Sequence, residues 1–363
     1  MNQQRRWLVI AWIVALFLIA SALFLSIRQG QLAPWLASSP VLISQSPSAG
    51  DSSEHEVVVI PLAGPLAEAS AEISGLAWYG ENLVLLPQYP QRMSSSSDGA
   101  LFAFSKADLS AYLDGVDPAP LTPLAIALET GWLEGRVPGF EGFEAIAFTG
   151  DRFFVTIEAK TQDGMTGYLA SGEITPDLNA AFLHPDTLVE NPLQLDRDNH
   201  SDEAIVINGK QIFTLYEVNG RELNNAPKAT VFDLELNRIS TMPFPNIDYR
   251  VTDATPPDGD GRFWVINYFF PSESYLRSDR DLLATPPGGA ASSHANSEVV
   301  ERLVEFQITP GIIMFTPTPP VYLRLLPDGE ARNWEGIAYL PGRGFLLATD
   351  NFPGTILGFV EYP

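Results

Sequence analysis

Five stretches of this chain repeat one pattern. Each has a small or acidic residue, a short apolar strand, a tight turn, a second apolar strand and a closing polar residue. They are SGLAWYGENLVLLPQ (74–88), EAIAFTGDRFFVTIE (144–158), EAIVINGKQIFTLYE (203–217), DATPPDGDGRFWVIN (253–267) and EGIAYLPGRGFLLATD (335–350). Their centres carry GE, GD, NG, DG and GR pairs, dipeptides that close hairpins, so each stretch is read as a β-hairpin. The starts lie 70, 59, 50 and 82 residues apart, which leaves room for two more strands per unit. Such strands follow the first four hairpins, for example ALFAFSKADL with PLAIAL and KATVFDLEL with RISTMPF. After the fifth only TILGFVEY remains, and EVVVIPL near the other end supplies the missing strand. Repeated four-stranded antiparallel units must cover their sheet edges, and radial repetition does so. The expected fold is all-β: a five-bladed β-propeller closed by an N-terminal strand. A sixth blade inside the 82-residue interval is the alternative, although that interval also holds a Ser-, Pro- and Gly-rich loop at 271–298. Two stacked sheets are the other arrangement open to these strands.

Ahead of the repeats, residues 7–27 form a run of 21 uncharged, mostly apolar residues, and about 20 helical residues span a bilayer core. Arg5 and Arg6 precede it, which keeps the short N-terminus cytosolic and exports the rest. The chain thus divides into a cytosolic stub and transmembrane signal anchor (1–28), a flexible Ser/Pro/Ala-rich linker (29–55) and a propeller domain (56–363). A cleaved signal peptide ending near Ala20-Ser21-Ala22 is the competing reading, but its apolar region is usually shorter. The propeller is expected in the periplasm or outside the cell, on a single-pass membrane protein.

Acidic residues number 44 and basic residues 21, for a net charge of −23. Phosphate backbones would be repelled, so nucleic acid is excluded as a partner. The chain has no cysteine and four histidines, which removes thiol chemistry, disulfides and zinc-finger sites. No GxxxxGK[ST] loop and no GxSxG elbow is present. What remains is oxygen chemistry. In a propeller the first strand of each blade lines the axis, so the leading residues Ser74, Glu144, Glu203, Asp253 and Glu335 are expected to converge. Four carboxylates at close range require protons or a cation. Hard oxygen donors suit Ca²⁺ first and Mg²⁺ second. Arg197, Arg250 and Arg332 lie just before leading acids and are candidates for binding an anionic substrate group. His200, in DNHSDE, is the candidate general base. Trp78, Trp264 and Trp334 are read as blade packing.

The segments EISGLAWYGENLVLL, FEAIAFTGDRFFVTIEAK, SDEAIVINGKQIFTLYE and NWEGIAYLPGRGFLLATDN resemble the phytase-like propellers grouped as "esterase-like activity of phytase". They are also similar to the SdiA-regulated membrane-anchored propellers and, more distantly, to the gluconolactonase (SMP-30) group. The likeness covers most of 72–363 and implies a propeller. The succession Ser74, Glu144, Glu203, Asp253, Glu335 resembles the axial calcium ring of the calcium-dependent apyrases, departing from it at Asp253, and implies a calcium site.

Two functions are compatible with these residues. One is a non-catalytic envelope module that binds a small anionic ligand or an envelope protein, with a cation tying blades together. The other is a metal-dependent hydrolase of phosphoesters or simple esters, in which the ion lowers the pKa of a bound water.

Overall fold

A computed structural model describes residues 54–362 other than 95–97, 163, 196, 279–280 and 284–291. The predicted anchor and nearly all of the linker lie outside the described residues. Among the described residues no helix is long and apolar enough to cross a membrane.

Strand β1 (Val57–Ile60) comes first but belongs to the last blade. Blade one is β2 (Ile73–Tyr79), β3 (Asn82–Pro87), β4 (Gly99–Ser105) and β5 (Leu124–Glu129), with helix α1 (Lys106–Leu113) after β4. A short helix α2 (Leu133–Arg136) leads to blade two, which is β6 (Phe140–Thr149), β7 (Arg152–Thr161), β8 (Gly164–Ile174) and β9 (Ala180–Leu183), with β10 (Val189–Asn191) beside β8. Blade three is β11 (Asp202–Asn208), β12 (Gln211–Tyr216), β13 (Lys228–Asp233) and β14 (Arg238–Pro243). Blade four is β15 (Arg250–Ala254), β16 (Arg262–Phe269), β17 (Val300–Thr309) and β18 (Ile312–Phe315), with β19 (Val321–Tyr322) also on β17. Blade five is β20 (Trp334–Leu340), β21 (Gly344–Thr349) and β22 (Leu357–Glu361), completed by β1 in antiparallel register Val57↔Val360 to Ile60↔Leu357.

The inner strands close a ring: β2 touches β6, β6 touches β11, β11 touches β15, β15 touches β20, and β20 returns to β2. The described residues therefore form a five-bladed propeller fastened by a strand from the opposite end of the chain. The described part of 271–298 contains short 3₁₀ turns (Ser274–Leu276 and Ser293–Asn296) and no strand, so no sixth blade is present among the described residues. One feature lies outside the expected scheme. The outer strands β5 and β9 pair in parallel, so blades one and two share a single sheet.

Every inner hairpin departs from regular pairing beside its leading residue, and β6–β7 departs a second time between Phe140 and Gly142. The register shifts between Ile73 and Gly75, Phe143 and Ala145, Asp202 and Ala204, Val251 and Ala254, and Trp334 and Gly336. These are bulges, in which one strand carries an extra residue and re-aims a side chain. The residue falling in each bulge is the leading polar residue of the repeat: Ser74, Glu144, Glu203, Asp253 or Glu335. Next to it stands Gly or Ala in all five units. The reason is close approach of the inner strands. A Cβ on Gly336 would lie 2.7 Å from Leu76 Cγ and 3.3 Å from the Leu76 backbone nitrogen.

Apolar side chains fill the gaps between blades. Phe143, Phe153 and Ile157 of blade two pack with Val84 and Leu86 of blade one, and Phe213 and Val231 of blade three pack with Val265 and Phe306 of blade four. Trp334 is fully buried, and the Trp78 indole N–H donates to the Tyr339 carbonyl, 2.8 Å. Both have the packing roles expected of them. Gly336→Ala should overpack the junction of blades one and five and lower stability by about 1–3 kcal/mol, read as a reduced thermal midpoint. An unchanged midpoint would contradict this close approach.

Candidate metal centre at the hub

Four of the five bulge residues face one cavity of about 210 Å³: Ser74, Glu144, Glu203 and Glu335. The ends of the second strands add Gln88, Glu158 and Asp350, and β15 adds Arg250. Glu144, Glu158 and Glu203 are each 4% exposed. One carboxylate oxygen from each of these three lies within 4.8 Å of the others. Glu144 Oε1, Glu158 Oε1, Glu203 Oε2 and Asp350 Oδ1 are buried without a hydrogen-bond partner. Buried acceptors are normally paired, so four orphaned carboxylate oxygens around one hollow mark a place built for a proton or a cation.

The electrostatics agree. Burial, then the neighbouring Glu158 and Glu203, hold Glu144 well above the ordinary carboxylate range. Burial pushes Glu203 up to about 8 against the pull of Arg250, and Glu158 up to about 7. Glu335 is raised by burial and by Glu203, and Asp350 rises to about 6 through burial and Glu72. Carboxylates this crowded and this dry cannot all ionise unless a positive charge joins them.

Arg250 supplies one such charge, and its position is fixed. Its guanidinium pairs with Glu217, lies 3.7 Å from Glu203 and 3.6 Å from Glu273, and donates to the Tyr268 hydroxyl at 3.2 Å. Tyr268 in turn donates to Glu335 Oε1 at 2.9 Å and contacts Asn333 Oδ1.

The structure separates the other sequence candidates from the cavity. Asp253 occupies its bulge but does not line the hollow. Its Oδ2 accepts the backbone N–H groups of Ile337 (2.8 Å) and Leu76 (3.3 Å), and its Oδ1 accepts that of Ala254 (2.8 Å). Asp is one methylene shorter than Glu, so the carboxylate stays at strand level and clasps blades one, four and five. Arg332 also departs from expectation. Its Nε donates to Glu301 Oε2 at 2.9 Å and its backbone N–H to Glu301 Oε1 at 2.9 Å, inside blade packing with 3% exposure. Arg197 lies over the Tyr275 ring, 4.6 Å from its centroid, and is not a cavity residue.

His200 is 1% exposed, with Nδ1 2.6 Å from Glu217 Oε2 and Nε2 2.8 Å from the Tyr275 hydroxyl. Burial, with Arg250 and Arg197 nearby, lowers it to about 3. It is neutral, both ring nitrogens are engaged, and it does not line the cavity, so its place does not suit a general base.

Glu158, Asp350 and Tyr268 were not among the candidate site residues. The first two carried a signal, since both close their hairpins at the position 14 or 15 residues after the leading acid. Tyr268 follows its hairpin by one residue and carried none. Two larger hollows, about 390 Å³ and 550 Å³, share no lining residue with the hub. The buried polar groups of the first, Arg302 with Asp281 and His294 with Glu54, are paired with each other.

No protein-family model matches the chain, and no curated protein matches it. Among solved structures, one described as a member of the GH130 family of mannoside phosphorylases, containing glycoside hydrolases that target β-1,2 mannosidic linkages in Candida mannan, is 11% identical over 88% of this chain and 97% of its own, with a TM-score of 0.47. A glycosyl hydrolase from Bacteroides ovatus is 12% identical over 84% of this chain and 91% of its own, at 0.43. An exo-1,5-α-L-arabinanase from a bovine ruminal metagenomic library is 10% identical over 80% and 92%, at 0.40. Likeness at this level says nothing of the chemistry of this chain.

The raised carboxylates give a pH dependence of defined sign. Groups held above their unfolded pKa stabilise the fold while protonated, and that contribution is lost as pH rises through the folded value. Above about pH 7.5 the histidines are almost wholly neutral in both states, so the buried carboxylates that still hold protons there, Glu203 with Glu144, Glu335 and Asp253, govern the window from about 7.5 to 8.5. In chelator, the thermal midpoint should fall across that window by about 5 °C or more, and Glu203→Gln should flatten the fall. A flat or rising midpoint for the unaltered protein would refute the charge crowding.

Proposed function

We propose that this chain is a membrane-anchored, extracytoplasmic propeller whose hub holds a divalent cation and serves as a ligand-binding module. The observation that carries the reading is that Glu144, Glu158 and Glu203 each bring one carboxylate oxygen within 4.8 Å of the others, and each has a buried oxygen without a hydrogen-bond partner. These residues fit a hard ion: the donors are all oxygen, and neither cysteine nor histidine lines the cavity. Ca²⁺ is the better match and Mg²⁺ the second, because calcium accepts irregular, carboxylate-rich sets while magnesium demands near-octahedral geometry. Glu335, Asp350 and Ser74 stand in the same cavity as further oxygen donors. When bound, the ion would neutralise the crowded acids and join blade two, which supplies Glu144 and Glu158, to blade three, which supplies Glu203.

The 7–27 segment and its flanking arginines support an anchor and export, and in that setting the partner would be an envelope protein or a small solute. A metal-dependent esterase or phosphoesterase is the second reading, favoured by Arg250 in the cavity wall. The binding module is preferred because Arg250 is held by three carboxylates and His200 has no free ring nitrogen.

Elemental analysis and calorimetric Ca²⁺ titration of the full chain test the reading. The expected result is about one ion per chain and a midpoint raised by Ca²⁺ through linkage. Glu203→Gln should weaken affinity by about tenfold to a hundredfold, the scale on which even outer-shell partners of a metal act. No bound ion and no shift at millimolar Ca²⁺ would overturn it. Ester or phosphoester turnover that is lost in Glu203→Gln would select the enzyme instead.

A further inference from the structure

The hub cavity is much larger than one ion needs. At about 30 Å³ per water, its roughly 210 Å³ has room for several water-sized groups. Its rim reaches solvent, since Glu141 and Asn199 are exposed while both line it. What lines the remaining space is unevenly matched. Carboxylate oxygens only accept hydrogen bonds, and Glu144 Oε1, Glu158 Oε1, Glu203 Oε2 and Asp350 Oδ1 have no donor. Three side chains in the same wall, Gln88, Tyr89 and Asn199, make no side-chain hydrogen bond among the described residues. Each of these offers an N–H or O–H. Asn199 holds its place at a φ of +60°, a conformation that Asn tolerates and most residues do not.

From this wall we infer that the hub, with its cation in place, takes a small neutral polyhydroxylated ligand of the sugar or sugar-alcohol class. The inference rests on the cation reading above and names the ligand of that same site. Each candidate class meets the wall differently. An anion faces the carboxylates, and the guanidinium in the wall is already held by Glu203, Glu217 and Glu273. An organic ammonium satisfies the carboxylates but competes with the metal for the same oxygens, and it cannot accept from Gln88, Tyr89 or Asn199. Hydroxyl groups do both: they donate to carboxylates, accept from amide N–H groups, and are hard oxygen donors that a Ca²⁺ ion accepts. The expectation of a small anionic ligand therefore gives way to a neutral one.

The test is calorimetric titration of the full chain in a zwitterionic detergent, which carries no sugar headgroup. Glucose and mannitol are the probes, spermidine and inorganic phosphate the competing classes, each with Ca²⁺ and with chelator. The expected result is binding of glucose or mannitol to the Ca²⁺-loaded protein, at least tenfold weaker in chelator. Gln88→Ala and Asn199→Gly should each weaken polyol binding about tenfold, one good hydrogen bond's worth, while Ca²⁺ affinity is unchanged. Normal Ca²⁺ binding with neither polyol bound overturns the ligand inference and leaves the cation reading standing. Spermidine binding that expels Ca²⁺, or phosphate binding, overturns it in favour of that class. Failure of Ca²⁺ itself to bind defeats the cation reading, and this inference with it.

Discussion

One residue too many at the start of each inner strand governs this molecule. A two-stranded ladder points its side chains alternately to the two faces of the sheet, and neither face of a propeller blade is the axis. The extra residue at positions 74, 144, 203, 253 and 335 breaks that alternation and re-aims a side chain. Because every blade repeats the shift at the same place, four of the five side chains, Ser74, Glu144, Glu203 and Glu335, face one cavity, while Asp253 is held at strand level by backbone N–H groups. The small residue that follows each bulge lets the inner strands approach closely enough for those side chains to meet.

Convergence creates an electrostatic problem as well as a site. Glu144, Glu158, Glu203, Glu335 and Asp350 share one hollow with a single guanidinium, that of Arg250. Arg250 is held by Glu217 and Glu273 as well, so it relieves Glu203 only in part. The hub is thus under-neutralised in the metal-free protein. Stability elsewhere carries this local strain: the interblade apolar packing, the β1–β22 closure and the three backbone bonds to Asp253 hold the blades together while the acids repel.

Much of this was legible in the sequence. Recurrent hairpins, glycine turns and matching end residues pointed to five blades with six left open, and the deficit of one strand at the C-terminus pointed to the N-terminal strand that closes the ring. The leading acids were readable as a convergent set because a bulge residue keeps its place in the repeat. The individual roles were not. Glu and Asp look equivalent at the head of a repeat, yet the shorter Asp253 is captured by backbone N–H groups. Arg332 and Arg250 both stand three residues before a leading acid, yet Glu301 of β17 draws the first into packing and Glu217, just after β12, keeps the second at the hub. Such distinctions depend on partners distant in the chain. The trailing residues Glu158 and Asp350 share the hub because antiparallel pairing returns the second strand to the level of the first. Tyr268 is placed by pairing opposite Arg250 on β15, a register that composition does not show.

A crystal structure grown with Ca²⁺, with its anomalous map, tests the account most directly. It predicts a single strong peak at about 2.3–2.6 Å from oxygens of Glu144, Glu158 and Glu203, with Asp253 still on its backbone partners. A hub filled only by water with those carboxylates splayed apart, or an ion bound elsewhere on the surface, would contradict it.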